Sequence, residues 1–132
     1  KKGSIMSNLI GDHHVISGLW IDSTDDYVGL MSMAENISIT DLTVKVADGK
    51  SIKGNDYVSI LIGKAVNSSI SGCSVVGTVE AIGDYIGGIV GYASQGSIDN
   101  CTANGVTVIG ANYAGGLVGK SDAISFTDCS ES

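Results

Sequence analysis

Tyr occurs at positions 27, 57, 85 and 113, at steps of 30, 28 and 28 residues, and its neighbours recur with it. The clearest pair sets Asp84-Tyr85-Ile86-Gly87-Gly88-Ile89-Val90-Gly91 against Asn112-Tyr113-Ala114-Gly115-Gly116-Leu117-Val118-Gly119. A period of this size means one supersecondary unit stacked on copies of itself, because a unit so short cannot bury its own apolar face. That constraint comes before any reading of function.

A second set of rows runs alongside the Tyr column. Ile16-Ser17-Gly18-Leu19-Trp20-Ile21 reads as the first row and Ile39-Thr40-Asp41-Leu42-Thr43-Val44 as the second. Ile70-Ser71-Gly72-Cys73-Ser74-Val75, Ile98-Asp99-Asn100-Cys101-Thr102-Ala103 and Phe126-Thr127-Asp128-Cys129-Ser130-Glu131 complete the set. The fourth-to-sixth alternation of apolar residues is strand-like, whereas the first-to-fourth step breaks period two and places a bend at Gly18, Asp41, Gly72, Asn100 and Asp128. These residue types tolerate bridge and left-handed backbone. Frequent Gly, β-branched residues and Ser/Thr argue against helix.

About 28 residues hold roughly three short strands and three turns. Within residues 84–111 the strands are expected near Tyr85–Val90, Ser97–Ala103 and Val106–Ile109. Each strand then lies about 4.8 Å from its counterpart one turn later. The expected fold is all-β: a right-handed parallel β-helix, or solenoid, of about four to five coils of roughly 28 residues. It forms one domain over 1–132, with an opening coil over about 1–26 and units over about 27–56, 57–84, 85–112 and 113–132. The 43% hydrophobic content supports a packed core, and 19 Gly with no Pro fit many tight turns. The first residue is not Met and no signal peptide is visible, so the chain reads as a piece of a longer protein. Its final coil reads as incomplete, an open strand edge that invites further coils, a cap, or end-to-end self-association.

Net charge is −7, from seven Lys and no Arg against 14 Asp and Glu, which disfavours nucleic acid as a partner. No apolar run approaches the roughly 18 residues of a membrane span, so membrane insertion is not expected of this segment.

Tyr85-Ile86-Gly87-Gly88-Ile89-Val90-Gly91-Tyr92 followed by Ser97-Ile98-Asp99-Asn100-Cys101 resembles the GLUG motif, and Tyr113-Ala114-Gly115-Gly116-Leu117-Val118-Gly119 resembles a second copy. Tyr57-Val58-Ser59-Ile60-Leu61-Ile62-Gly63 is similar but departs at Ser59 and Ile60, and Tyr27-Val28-Gly29-Leu30 looks like a shortened copy. Gly11-Asp12-His13-His14-Val15-Ile16-Ser17-Gly18-Leu19 resembles the opening coil that precedes such repeats in large bacterial surface proteins. The resemblance implies a β-helical region of a secreted or cell-surface bacterial protein, as in adhesin-like proteins and the N-terminal regions of immunoglobulin A-cleaving metallopeptidases. It supplies no catalytic residues.

Four columns could carry chemistry. Tyr27, Tyr57, Tyr85 and Tyr113 form an aromatic ladder facing outward, with Val28, Val58, Ile86 and Ala114 inward; stacked Tyr rings hold coils together or offer a platform for sugars. Asp26, Asp56, Asp84 and Asn112 precede each Tyr, and are expected to accept from backbone N–H groups two residues on. The sharper alternative there is calcium, held by the three carboxylates. Cys73, Cys101 and Cys129, following Leu42 and Leu19, are expected as an inward core column. Three thiols in line do not converge on a metal, though stacked Cα spacing leaves one disulfide open. Trp20, Thr43, Ser74, Thr102 and Ser130 form a hydroxyl-rich column whose second rank, Asp22, Lys45, Val76, Asn104 and Ser132, is irregular for ice binding.

Gly63, Gly91 and Gly119 are read as sharp turns. His13 and His14 beside Asp12 are placed on a turn of the first coil, and Trp20 outward between Leu19 and Ile21. No cofactor is expected. The function expected is a non-catalytic stalk or adhesive surface, with a host or cell-surface glycan or protein as partner. The alternatives are a polysaccharide-active β-helix enzyme and an accessory N-terminal region of a surface metallopeptidase.

Overall fold

The structure is a computed structural model that describes residues 4–5 and 9–131, with side-chain surroundings for 9–130. The start of the expected opening coil and Ser132 lie outside the described residues.

The chain winds into a parallel β-solenoid of about four turns at a spacing near 28 residues. The first coil holds β1 (Ser4–Ile5), β2 (Leu9–Leu19) and β3 (Ile21–Asp22). The second holds β4 (Met31–Glu35), β5 (Ser38–Val46) and β6 (Ser51–Gly54). The third holds β7 (Ile62–Ser71) and β8 (Ser74–Ala81). Then come β9 (Asp84–Gly87), β10 (Val90–Asp99) and β11 (Thr102–Ile109), and finally β12 (Asn112–Gly115), β13 (Val118–Thr127) and β14 (Ser130–Glu131). Each strand pairs in parallel with its counterpart one coil away, so β10 lies between β7 and β13. Ile39, Ile70, Ile98 and Phe126 are direct partners along the axis. Ile39, Ile70 and Ile98 are essentially fully buried, as are Val44, Val75 and Ala103 beside them. The dry spine demanded by the repeat is therefore present.

Corners recur with the period. Tyr27, Tyr57, Tyr85 and Tyr113 take φ of 58°, 58°, 66° and 53°. The expected bends are left-handed too, at Gly18, Asp41, Gly72, Asn100 and Asp128, with φ of 79°, 54°, 66°, 51° and 51°. A third left-handed corner at Asn36, Asn67, Gln95 and Ala123 was not read from the sequence. Its members share spacing but no common residue type; Asn67 donates from Nδ2 to Asn36 Oδ1 at 2.7 Å.

Several expectations need correction. The stretch expected as one strand over Ser97–Ala103 is broken at Asn100-Cys101, and that over Tyr85–Val90 at Gly88-Ile89. A left-handed residue at Asn100 turns the chain between β10 and β11. The first row is also displaced. Leu9, not Ile16, sits opposite Ile39, while His14 faces Leu42 and Val15 faces Thr43. Leu19 instead pairs with Val46, so neither Leu19 nor Trp20 belongs to the column assigned to it. The physical reason is a longer corner: Asp12 and His13 are both left-handed where the next coil uses Asp41 alone. Ile16-Ser17-Gly18-Leu19 imitates Ile70-Ser71-Gly72-Cys73 in composition without sharing its register.

Gly63, Gly91 and Gly119 are not turns but lie inside β7, β10 and β13. A Cβ on Gly91 would stand 2.6 Å from the carbonyl oxygens of both Gly63 and Tyr85. The last Gly of the motif is thus required by close backbone approach behind the Tyr corner. Ser59 shows how the motif tolerates a departure: its buried hydroxyl donates to the Ile62 carbonyl, and also reaches Ile89 O at 3.1 Å.

Among the described residues, no buried side-chain nitrogen or oxygen lacks a hydrogen-bond partner, and no helix is long and apolar enough to cross a membrane.

Candidate functional site

The motif's chemistry-bearing side chains gather in files along the axis. Successive Tyr rings stack at centroid distances of 4.7, 4.9 and 5.0 Å, with interplanar angles of 4°, 12° and 6°. The strand spacing and the left-handed corner impose this, because equivalent side chains leave equivalent backbones about 4.8 Å apart. Val28, Val58 and Ile86 point inward as expected and are buried. Ala114 is the register partner of Ile86 on the same inward side, but on the last described coil it is exposed.

Face-to-face stacking uses the ring faces of the interior Tyr residues. The ladder presents ring edges and phenol groups to solvent, which is a different surface from the open platform expected for sugars. Tyr92 meets this edge in T-shaped contact, 6.2 Å from Tyr57 and 5.6 Å from Tyr85. It belongs to an outward file of Met33, Lys64, Tyr92 and Lys120 that the sequence reading missed. Equal spacing was the signal, but these four share no chemistry. Lys64 lies over Tyr57 at 5.6 Å and Tyr92 at 5.7 Å, and Lys120 over Tyr113 at 4.8 Å. Burial, then the neighbouring phenols of Tyr27 and Tyr85 and the Asp56 carboxylate, push the Tyr57 phenol above its ordinary value. It stays a neutral donor at physiological pH.

The acidic file links coils rather than turns. Asp26 Oδ1 accepts from Asp56 N at 3.1 Å and Asn55 Nδ2 at 3.0 Å. Asp56 Oδ1 accepts from Asp84 N at 2.7 Å, and Asp84 Oδ1 from Asn112 Nδ2 at 3.1 Å. The expected bonds to N–H groups two residues on are replaced by bonds to the next coil, because each carboxylate points along the axis. Among the described residues no three His, Cys, Asp or Glu converge as a cation site. We therefore expect Asp56→Ala to cost about 1–2 kcal/mol, equally with calcium and with chelator, in urea unfolding. A loss seen only with calcium would restore the cation reading.

Cys73 and Cys101 are fully buried and Cys129 is half-buried; all three are free thiols. His14 and Leu42 precede them in register, rather than Leu19 and Leu42. Each thiol donates toward the preceding coil: Cys73 to Ile39 O at 3.9 Å, Cys101 to Ile70 O at 3.6 Å and Cys129 to Ile98 O at 3.1 Å. The hydrogen bond shared with Cys73, together with burial, pushes the Cys101 thiol far above its ordinary value. The reactive thiolate is thus withheld. Iodoacetamide at pH 9 should modify Cys129 first and leave Cys101 untouched until denaturant is added; mass spectrometry of native protein carrying modified Cys101 would contradict this.

His13 lies at the first coil's long corner, and His14 Nδ1 is 2.7 Å from Gly11 O. In the hydroxyl file, Ser74 and Thr102 bond at 2.8 Å, with Val15 rather than Trp20 opposite Thr43. A second file of Ser38, Ser69, Ser97 and Ser125, in direct register, was missed because Ser is common throughout the chain.

These files define a parallel β-solenoid repeat module in which Tyr, Asp and Cys at equivalent positions bind each coil to the next. Residues 83–109 match the family model of the GLUG motif. The matched segment carries the GLUG motif and is the coil in which Tyr85, Gly91 and Cys101 stand in their files. Neither the comparison with curated proteins nor that with solved structures finds a match.

Proposed function

We propose that this chain is a non-catalytic β-helical module of a secreted or cell-surface bacterial protein, acting as a stalk or adhesive surface toward a glycan or protein. One observation carries the reading: the Asp and Cys files of the repeat, its best candidates for acids, nucleophiles or ligands, are spent on coil-to-coil bonds. Asp26, Asp56 and Asp84 each accept from the following coil, and Cys73 and Cys101 donate to the preceding one. Such a scaffold is stiff along its axis and offers long, regular outer faces, which suits display or adhesion. The acidic surface, at net charge −7, favours solubility outside the cell.

The purified chain, incubated with insoluble polysaccharides and with intact cells, tests this directly. Retention on the material without release of reducing ends supports the adhesive reading, and no retention leaves the stalk. Sustained turnover that disappears in Asp56→Asn would overturn both.

A further inference from the structure

The repeat is broken at one corner of the second coil. Lys45 and Ser51 are separated by five residues, whereas their partners Val76 and Thr78 are separated by Gly77 alone. In the first coil, Leu19 and Ile21 flank a single residue, Trp20, and their partners are Val46 and Ile52. The second coil therefore carries four extra residues relative to both neighbours. They form a tight loop, with Lys50 N bonded to Ala47 O at 3.0 Å and Gly49 left-handed at φ 72°. Ala47 N bonds to Leu19 O at 2.8 Å, which seats the loop beside Trp20.

Coil stacking requires none of this. Insertions in repeat architectures map to loops on one face, which is often the binding face. Here the insertion meets the chain's one Trp, which remains 53% exposed. Between them lies a cleft of about 210 Å³, lined by Trp20, Asp22, Gly49, Lys50, Ser51 and Lys53 along with Ile21. The volume suits a single ring of sugar size. Lys50 stands over the Trp20 ring, 4.9 Å from its centre, so an ammonium covers part of the indole face. Lys53 pairs with Glu80 at 3.6 Å, and Ser51 donates to the same carboxylate at 2.8 Å. With Asp22 and Glu80 set against Lys50 and Lys53, charges balance at the cleft. Donors and acceptors of both kinds flank an exposed indole.

We propose that the Trp20 cleft binds a neutral hexopyranose unit of a glycan. The apolar C–H face of the ring would lie against the part of the indole that Lys50 leaves exposed, its hydroxyls donating to Asp22 and accepting from Lys50. A balanced lining matches uncharged hydroxyl groups, which both donate and accept, better than an anion. The site gives a place and a ligand class to the adhesive half of the proposed function, on which its biological use rests.

Trp20 is its own reporter. Fluorescence titrations of the purified chain with the methyl glycosides of glucose, galactose, mannose and N-acetylglucosamine should give a saturable response in the millimolar range for at least one. Asp22→Asn and Lys50→Gln should each weaken it by about tenfold, while far-ultraviolet dichroism stays that of the parent. No saturable response from any of the four overturns the site, as does an equal response to glycerol. Glucuronic acid binding tenfold more tightly than every neutral glycoside overturns the ligand class. A failure here with retention on polysaccharide intact would remove this cleft and leave the adhesive reading standing on another face.

Discussion

Truncating Ile98 to Ala should remove about 3–4 kcal/mol of stability, a large share of a total on the order of 10 kcal/mol. Ile98 is 1% exposed and is held in register between Ile70 and Phe126, so the lost methylene groups leave a void the stacked backbones cannot close. Strands fixed at the hydrogen-bonding distance on both sides have little freedom to collapse. The one-dimensional architecture adds a second consequence. Coils contact only their neighbours, so a defect at Ile98 uncouples the last described coil from the third. Amide exchange should therefore accelerate across 112–131 well before it does across β7. Ile82→Ala, at a side chain 69% exposed, should change stability by no more than about 0.5 kcal/mol. Equal losses for the two variants, or uniform acceleration along the chain, would show that the spine is not the source of stability.

Gly91→Ala should be nearly as damaging, at about 3 kcal/mol, although it adds a single methyl group. The new Cβ would meet two carbonyl oxygens at 2.6 Å and Val58 N at 2.9 Å, all of them backbone atoms locked in ladder hydrogen bonds. Relief requires moving the Tyr85 corner, and with it a rung of the aromatic ladder. The informative control is Gly49→Ala. Gly49 has φ 72° but nothing within 4 Å of an added Cβ, so only left-handed strain is incurred, about 1 kcal/mol. If urea midpoints fall equally for the two variants, conformational strain rather than close approach governs the motif glycine.

Much of this architecture is legible in the sequence. The Tyr period and the Ile and Cys rows fixed stacking partners from the second coil on, because in a solenoid equal sequence spacing becomes direct contact. Residue type marked the corners as well, since Asp41, Gly72, Asn100 and Asp128 all belong to classes that accept left-handed backbone. The reading failed where that proportionality failed. Asp12 and His13 lengthen one corner, and a chance likeness between Ile16–Leu19 and Ile70–Cys73 then shifted the first row. The inward direction of Ala114 held, since it pairs with Ile86, but the residue is exposed because no described coil covers it.

What the sequence determined by itself was the period, the parallel strand class and the identity of each file, because these follow from repetition and from alternation of side chains across a strand. What the tertiary structure alone decided was direction and distance. It decided that Asp26, Asp56 and Asp84 reach to the next coil, that Gly91 exists for a carbonyl rather than a turn, and that Tyr faces are consumed by stacking. It also decided that a four-residue insertion meets Trp20 across a cleft. These depend on how far one coil stands from another and where a side chain is aimed, and a linear pattern carries neither quantity.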